Sequence, residues 1–317
     1  YFCENPVYSD ELFERRFRMP HYLFLRVMDA VVACDPQFEL RFDALGKPGL
    51  STIQKCTAAI RMLGYGYPAD ALDDKIRGGE STILYYTLRF CRAVISAFEE
   101  EYLREPSRSD IELQLRESEA RGFPGCIGSL DCMHWRWELC PSSIKGQLQG
   151  KEGKPTVVLE IVADHRLWIS HFYFGSAGSN NDINIIDRSP LVKQQVLRGD
   201  LFSTFTFKIS GKTFHQPYYL VDGIYPPYSC FVSTISKPAN IKQKTYAERQ
   251  ESARKDVERA FGVLRAKFRI LKNPSRLWHA DDLLLIMKTC VILHNMIVES
   301  NYAFGRDPTT ILRQHRG

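Results

Sequence analysis

Gly128-Ser129-Leu130-Asp131-Cys132-Met133-His134-Trp135 carries one acid inside a run that begins as a β-strand at Cys126 and continues to Trp137. A second acid, Asp222, follows Tyr218-Tyr219-Leu220-Val221, an apolar run that reads as a buried strand. After thirty-five intervening residues comes Glu258, inside Arg254-Lys255-Asp256-Val257-Glu258-Arg259-Ala260-Phe261, which reads as a helix. Two strand-end aspartates and one helical glutamate can converge to hold divalent metal ions. Such a cluster cleaves and joins phosphodiester bonds.

The neighbouring segments supply the rest of a mixed α/β unit. Pro155 to Ala163 reads as a second strand and Leu167 to Phe174 as a third, joined by the turn Asp164-His165-Arg166. Gly175 to Asn180 reads as a loop. Asn181 is placed to cap a helix running through Asp182 to Leu191, or to Leu197 if Pro190 only kinks it. Ser210-Gly211-Lys212 between Phe205–Ile209 and Thr213-Phe214 is a hairpin signal. The Asp222 strand comes next, then a Pro-rich irregular stretch, the Glu258 helix, and a last helix over Asp281 to Glu299. Strand, strand, strand, helix, strand, helix, with acids on the first strand, the fourth strand and a later helix, is the ribonuclease H-like layout.

Upstream the chain reads as helical. Asp10 to Ala33 has a near-helical apolar period, with Pro20 starting a second helix. Ser51 caps a helix from Thr52 to Leu63, a short helix spans Ala69 to Ile76, and Gly78-Gly79 makes a turn. Ser81 is expected to cap a third helix, Thr82 to Glu100. Helix, short helix, glycine turn, helix is the outline of a helix-turn-helix unit, a weak signal for DNA contact. Pro106 to Glu119 is polar and charged and reads as a link. The expected organisation is a helical domain over 1–120, a catalytic domain over 121–300 and a tail over 301–317.

Hard divalent cations such as Mg²⁺ take oxygen ligands and keep several waters, so three or four acids suffice. On the Glu258 helix, Val257, Phe261, Leu264 and Phe268 form the buried stripe. Glu258 lies one step off it, in line with Arg254 and Arg265, whose guanidinium groups could clamp DNA phosphates. Each acid also has a plainer explanation. Asp131 can end a strand, Asp222-Gly223 can be only a turn, and Glu258 can only pair with Arg254 across one helical turn. Asp182 is a fourth acid, equally suited to the first turn of a helix. His134 either touches substrate or packs structurally.

The 317 residues suffice for two domains. Hydrophobic content of 44% and charged content of 25% suit a globular protein, and a net charge of +5 permits nucleic-acid binding without demanding it. No uninterrupted apolar run reaches the roughly 18 residues of a membrane span. Tyr1-Phe2-Cys3-Glu4 has neither Met nor a signal-peptide pattern and is expected to be an internal start. Nine cysteines without a Cys-x-x-Cys pair are expected to be reduced thiols of a cytosolic or nuclear protein.

Several segments carry a resemblance. Gly128 to Trp135 resembles the first catalytic motif of PIF/Harbinger-type transposases. So do Gly178-Ser179-Asn180-Asn181-Asp182-Ile183-Asn184 with Asp187-Arg188-Ser189-Pro190, Asp222-Gly223-Ile224-Tyr225-Pro226, Arg254 to Gly262, and Leu293-His294-Asn295-Met296-Ile297. Gln54 to Leu63 and Pro68 to Asp73 are similar to plant and oomycete members. The resemblance covers almost the whole chain. It implies a DDE-type transposase or endonuclease with a ribonuclease H-like domain that uses Mg²⁺ or Mn²⁺. Asp131, Asp182, Asp222 and Glu258 match the family's acidic positions. Whether Asp182 or Asp222 is the second member of the triad stays open, with Asp222 favoured because the second acid belongs on the fourth strand. The resemblance further implies DNA as partner (transposon terminal repeats and target DNA), a Myb-like DNA-binding protein from the same element, a homo-oligomer and the nucleus. Arg254, Arg265 and His134 are the expected DNA contacts. A domesticated, non-catalytic chromatin or protein-interaction factor is the alternative.

Overall fold

The computed structural model describes residues 1–3, 5–150, 153–180, 182–191 and 204–311. The chain is α/β, with helices dominating its N-terminal part. It divides into two compact units. One comprises Tyr1–Tyr102, Trp137–Leu139 and Val263–Gly317; the other comprises Leu103–Arg136 and Cys140–Gly262.

In the helical unit, α1 (Asp10–Phe17) and α2 (His21–Cys34) meet at Pro20, as the sequence anticipates. Phe13, Phe17 and Phe24 stack there in a buried aromatic cluster. The next helix, α3 (Thr52–Tyr65), starts with a capping box in which Ser51 and Gln54 satisfy each other's backbone N–H groups. A 3₁₀ turn (Ala69–Leu72) and the short α4 (Asp73–Ile76) lead to α5 (Glu80–Tyr102). Ser81 therefore lies inside α5 rather than capping it. The first helical hydrogen bond already runs from the Ile83 N–H to the carbonyl of Gly79, the residue before the helix.

The sheet unit opens with α6 (Arg108–Ala120), in the stretch expected to be a link. Ser107 and Asp110 form its capping box, and Ile111 buries itself in the apolar core beneath the sheet. The five-stranded sheet contains β1 (Cys126–Arg136), β2 (Thr156–Ala163) and β3 (Ile169–Ala177), and the short helix α7 (Ser142–Lys145) falls between β1 and β2. After α8 (Asp182–Arg188) comes the hairpin β4 (Phe207–Ile209) and β5 (Lys212–Phe214), followed by β6 (Tyr218–Leu220) and β7 (Phe231–Val232). Strand order is β3-β2-β1-β6-β7. β1, β2 and β3 pair antiparallel, whereas β6 runs parallel to β1 and β7 parallel to β6. Interior strands buried on both faces read as continuous apolar runs, which is why β2 is almost unbroken Val, Leu and Ile. β7 lies within the expected irregular stretch; two residues are too short for a periodic signal.

Two helices close the chain. α9 (Ile241–Lys267) is 27 residues long, and α10 (Ala280–Ala303) carries Leu293 to Ile297, all buried. The units are composed differently from the expected serial domains. α6 packs on β1, and α10 packs on α5. Asn295 Nδ2 donates to the Tyr102 carbonyl at 2.8 Å and Lys288 pairs with Glu99 at 2.6 Å, so α10 completes the helical core. By length and hydropathy α10 resembles a membrane span, yet 78% of its apolar window is buried within the protein.

Candidate functional site: an acidic sheet edge under a long helix

The placement of Asp131 begins with Gly128. Its φ of +135° is one that L side chains rarely adopt, and a Cβ there would come within 2.8 Å of Val162 Cγ1. The pairing between β1 and β6 shifts at this point, between Cys126 and Ser129. From Ser129 onward the register with β2 is regular, so Ser129, Asp131 and Met133 share one face. Ser129 Oγ donates to the Ala253 carbonyl of α9 at 3.4 Å, which identifies that face as the one α9 covers.

Asp222 reaches the same face from β6. Ser129 pairs with Leu220, the last residue of β6; Asp131 lies two residues further along β1 and Asp222 two residues past the end of β6. Leu220 packs with Ala253, while Tyr219 and Val221 pack in the opposite core, so the pleat carries Asp222 to the α9 side. Each aspartate accepts the backbone N–H of the residue after it: Cys132 at 2.8 Å and Gly223 at 2.6 Å. Asp222 also starts a turn, its carbonyl accepting from Tyr225 N at 3.2 Å. The plainer explanation of Asp222-Gly223 as a turn therefore holds.

α9 is pinned over this edge by Gln250, which is fully buried and donates from Nε2 to the Val221 and Val232 carbonyls at 3.1 and 3.0 Å. One helical turn later comes Arg254, and one turn after that Glu258. Arg254 lies 3.8 Å from Asp131 Oδ2 and 3.0 Å from Glu258 Oε1, so one guanidinium serves both carboxylates. Its side chain is 16% exposed, against 23% for Asp131 and 46% for Glu258. Val257, Phe261, Leu264 and Phe268 are buried as the stripe anticipated, and Glu258 stands at the rim.

Other expected site residues lie apart. His134 is on the face of β1 opposite Asp131, exposed, its Nδ1 3.0 Å from Thr156 Oγ1. Arg265 is exposed near the C-terminal end of α9, on the part that belongs to the helical unit. Asp182 begins α8, but its side chain lies outside the described residues, as do Asn181 and the segment 192–203. Among the described residues, no three His, Cys, Asp or Glu side chains gather closely enough to hold a metal. Gln250 is the residue the sequence analysis missed; its signal is the i, i+4 series 250, 254, 258 on one helix face. Asp256, in the same motif, is buried and structural. It pairs with Arg121 at 2.6 Å and with Arg259, tying α6 to α9. The nine cysteines are all free. Burial pushes the Cys56 and Cys91 thiols up to about 12, which keeps them protonated and inert.

Fold and site together define an α/β protein with one acid on a central strand, a second just past the neighbouring parallel strand, and a basic helix over that face. A family model described as plant transposon protein matches residues 100–304. The chain belongs to this family, whose members include Harbinger-derived transposase-like proteins. A domain of unknown function matches residues 1–32. Two Arabidopsis thaliana proteins are similar. Protein ALP1-like is 26% identical over 263 residues, covering 81% of this chain and 63% of the relative. Antagonist of Like Heterochromatin Protein 1 is 27% identical over 267 residues, covering 79% and 63%. The chain thus spans somewhat under two thirds of the curated relatives it matches. No solved structure matches at a significant level.

Proposed function

We propose that the sheet unit is a ribonuclease H-like catalytic domain and that the chain is a DDE-type DNA endonuclease or transposase. The observation that carries the reading is that Arg254 of α9 reaches both Asp131 of β1 and Glu258, with Asp222 two residues past the β6 residue that pairs with Ser129. The sheet order, three antiparallel strands continued by two parallel ones, supports the same assignment.

The donor set suits a hard divalent cation in kind, because all of it is carboxylate oxygen. That one guanidinium serves both Asp131 and Glu258 shows a place where this edge draws positive charge. The described acids do not gather closely enough to hold a metal as they stand, so in this reading Asp131, Asp222 and Glu258 would draw together on Mg²⁺ or Mn²⁺, with Asp182 as auxiliary ligand. Bound there, the cation would activate the attacking water or hydroxyl and stabilise the leaving oxygen. In this reading Arg254 neutralises the acids before the cation binds and then turns to a DNA phosphate. Gln250 keeps α9, and with it Glu258, in register with the strand ends. The substrate is DNA carrying the element's terminal repeats, and then target DNA. The reading places the chain in the nucleus as a homo-oligomer beside a Myb-like DNA-binding partner.

One observation favours a second reading, a domesticated chromatin or protein-interaction factor. Arg254 occupies two of the would-be ligands, and one relative is named for antagonism of a heterochromatin protein. Incubating the purified chain with terminal-repeat DNA and Mn²⁺ separates the two. Metal-dependent nicking that Asp131→Asn abolishes supports the enzyme; DNA left intact, with and without the partner protein, supports the factor.

A further inference from the structure

Away from the acidic edge, the helical unit holds an open cleft of about 840 Å³. Two cations reach it out of the packed interior. Arg18 ends α1 in a left-handed conformation, and Lys267 closes α9; each is 4% exposed. Among the described residues neither side chain makes an ion pair or a hydrogen bond. Arg18 Nε is buried without a partner, and the guanidinium rests 4.4 Å above the Tyr65 ring. The space for it is built in. A Cβ on Gly64 would come within 2.9 Å of Arg18 Cγ, so glycine in α3 is what lets the arginine lie down.

Neighbouring acids do not discharge this pair. Glu14 acts on Lys267 from a distance, but its carboxylate is held by Arg306 at 3.1 Å. Asp307 accepts from the Thr309 N–H at 2.8 Å and from the Thr309 hydroxyl, and Glu11 sits in the first turn of α1. Arg15 adds a further cation to the lining. Burying charge without a counter-charge is expensive, so a cleft that exposes two such groups invites an anion. The charge count selects its kind. A carboxylate or a phosphodiester offsets one cation; a phosphate dianion offsets both and offers three acceptor oxygens to the guanidinium fork and the ammonium.

We propose that this cleft binds a phosphate dianion, as the free ion or as a phosphomonoester, between Arg18 and Lys267. The test is calorimetric titration of the full chain with inorganic phosphate in chloride buffer free of divalent metal. Saturable binding at one site per chain is expected, weakened at least tenfold in Lys267→Met and in Arg18→Gln. Lys267→Met loses an unpaired buried charge and keeps the stem, so it stays folded even if Arg18→Gln does not. Competition by a nucleoside monophosphate assigns the monoester; binding of inorganic phosphate without that competition assigns the free ion. Unchanged affinity in Asp131→Asn keeps the result apart from the acidic edge. The proposal is overturned if the parent binds no phosphate, if Lys267→Met binds it equally well, or if only duplex DNA titrates.

Discussion

Replacing Lys267 with Met should stabilise the protein, and the gain should disappear as pH rises. Burial, opposed by Glu14 and reinforced by Arg18, holds the Lys267 ammonium down to about 8, against an ordinary 10.5. The gap between 10.5 and about 8 corresponds to about 3 kcal/mol at 1.36 kcal/mol per pH unit. The unfolded chain keeps this proton up to 10.5 and the native chain gives it up near 8. Between those values the unfolded state binds more protons, so the parent grows more stable as pH rises; below 8 the full penalty applies. Methionine keeps the unbranched stem and drops the charge. Urea unfolding of parent and Lys267→Met at pH 7, 8, 9 and 10, in chloride buffer, measures the difference. A gain of about 3 kcal/mol at pH 7 should shrink through pH 9 and vanish near 10.5. Equal stability at pH 7 would refute the buried unpaired ammonium. A gain that ignores pH would trace instead to methionine packing.

The acidic edge makes further predictions. Asp131→Asn, Asp222→Asn and Glu258→Gln should each lower strand cleavage at least a hundredfold while leaving circular dichroism unchanged; a folded variant with parental activity removes that residue from the site. Arg254→Ala should lower metal-free stability by up to about 1 kcal/mol, since its two ion pairs are partly solvated. The same variant should show a larger Mn²⁺-induced rise in melting temperature than the parent, and an equal or smaller rise would sink the idea that guanidinium and cation share the carboxylates. At a hundredfold excess over Kd, Mn²⁺ should stabilise the parent by about 2.7 kcal/mol. Gly128→Ala should cost about 1–3 kcal/mol, because the new methyl meets β2 and the backbone must hold φ +135°; a thermal shift within error would show that the β1 pairing adapts.

Much of the framework was legible in the chain before any coordinates. β2 announces itself by a long apolar run, the Ser210-Gly211 hairpin by its turn residues, and α3 by Ser51 with Gln54. The α9 stripe was legible too, since Val257, Phe261, Leu264 and Phe268 recur at the helical period. Other elements gave weaker signals. α6 hides in a polar stretch because it buries one narrow face, although Ser107 and Asp110 were there as a capping box. β7 is too short to show a period.

The sequence by itself determined the chemistry on offer: which acids exist, that one follows a strand and one rides a helix, and that basic residues flank the helical one; Asp131, expected at a strand end, stands in mid-strand because β1 runs on to Arg136. Neighbourhood came only from tertiary structure. The pairing of Ser129 with Leu220 brings the end of β6, and the Asp222 turn after it, beside β1, and strand alternation turns His134 to the face opposite Asp131. Arg254 became a bridge between two carboxylates rather than only a flanking cation, because α9 crosses the strand ends where Gln250 pins it. Lys267 and Arg18 are 249 positions apart, and only the packing of α1 against α3 and the end of α9 makes one cleft of them. Local pattern records which face of an element is buried. Which distant residue that face meets is set by sheet order and helix packing, and these are properties of the whole chain.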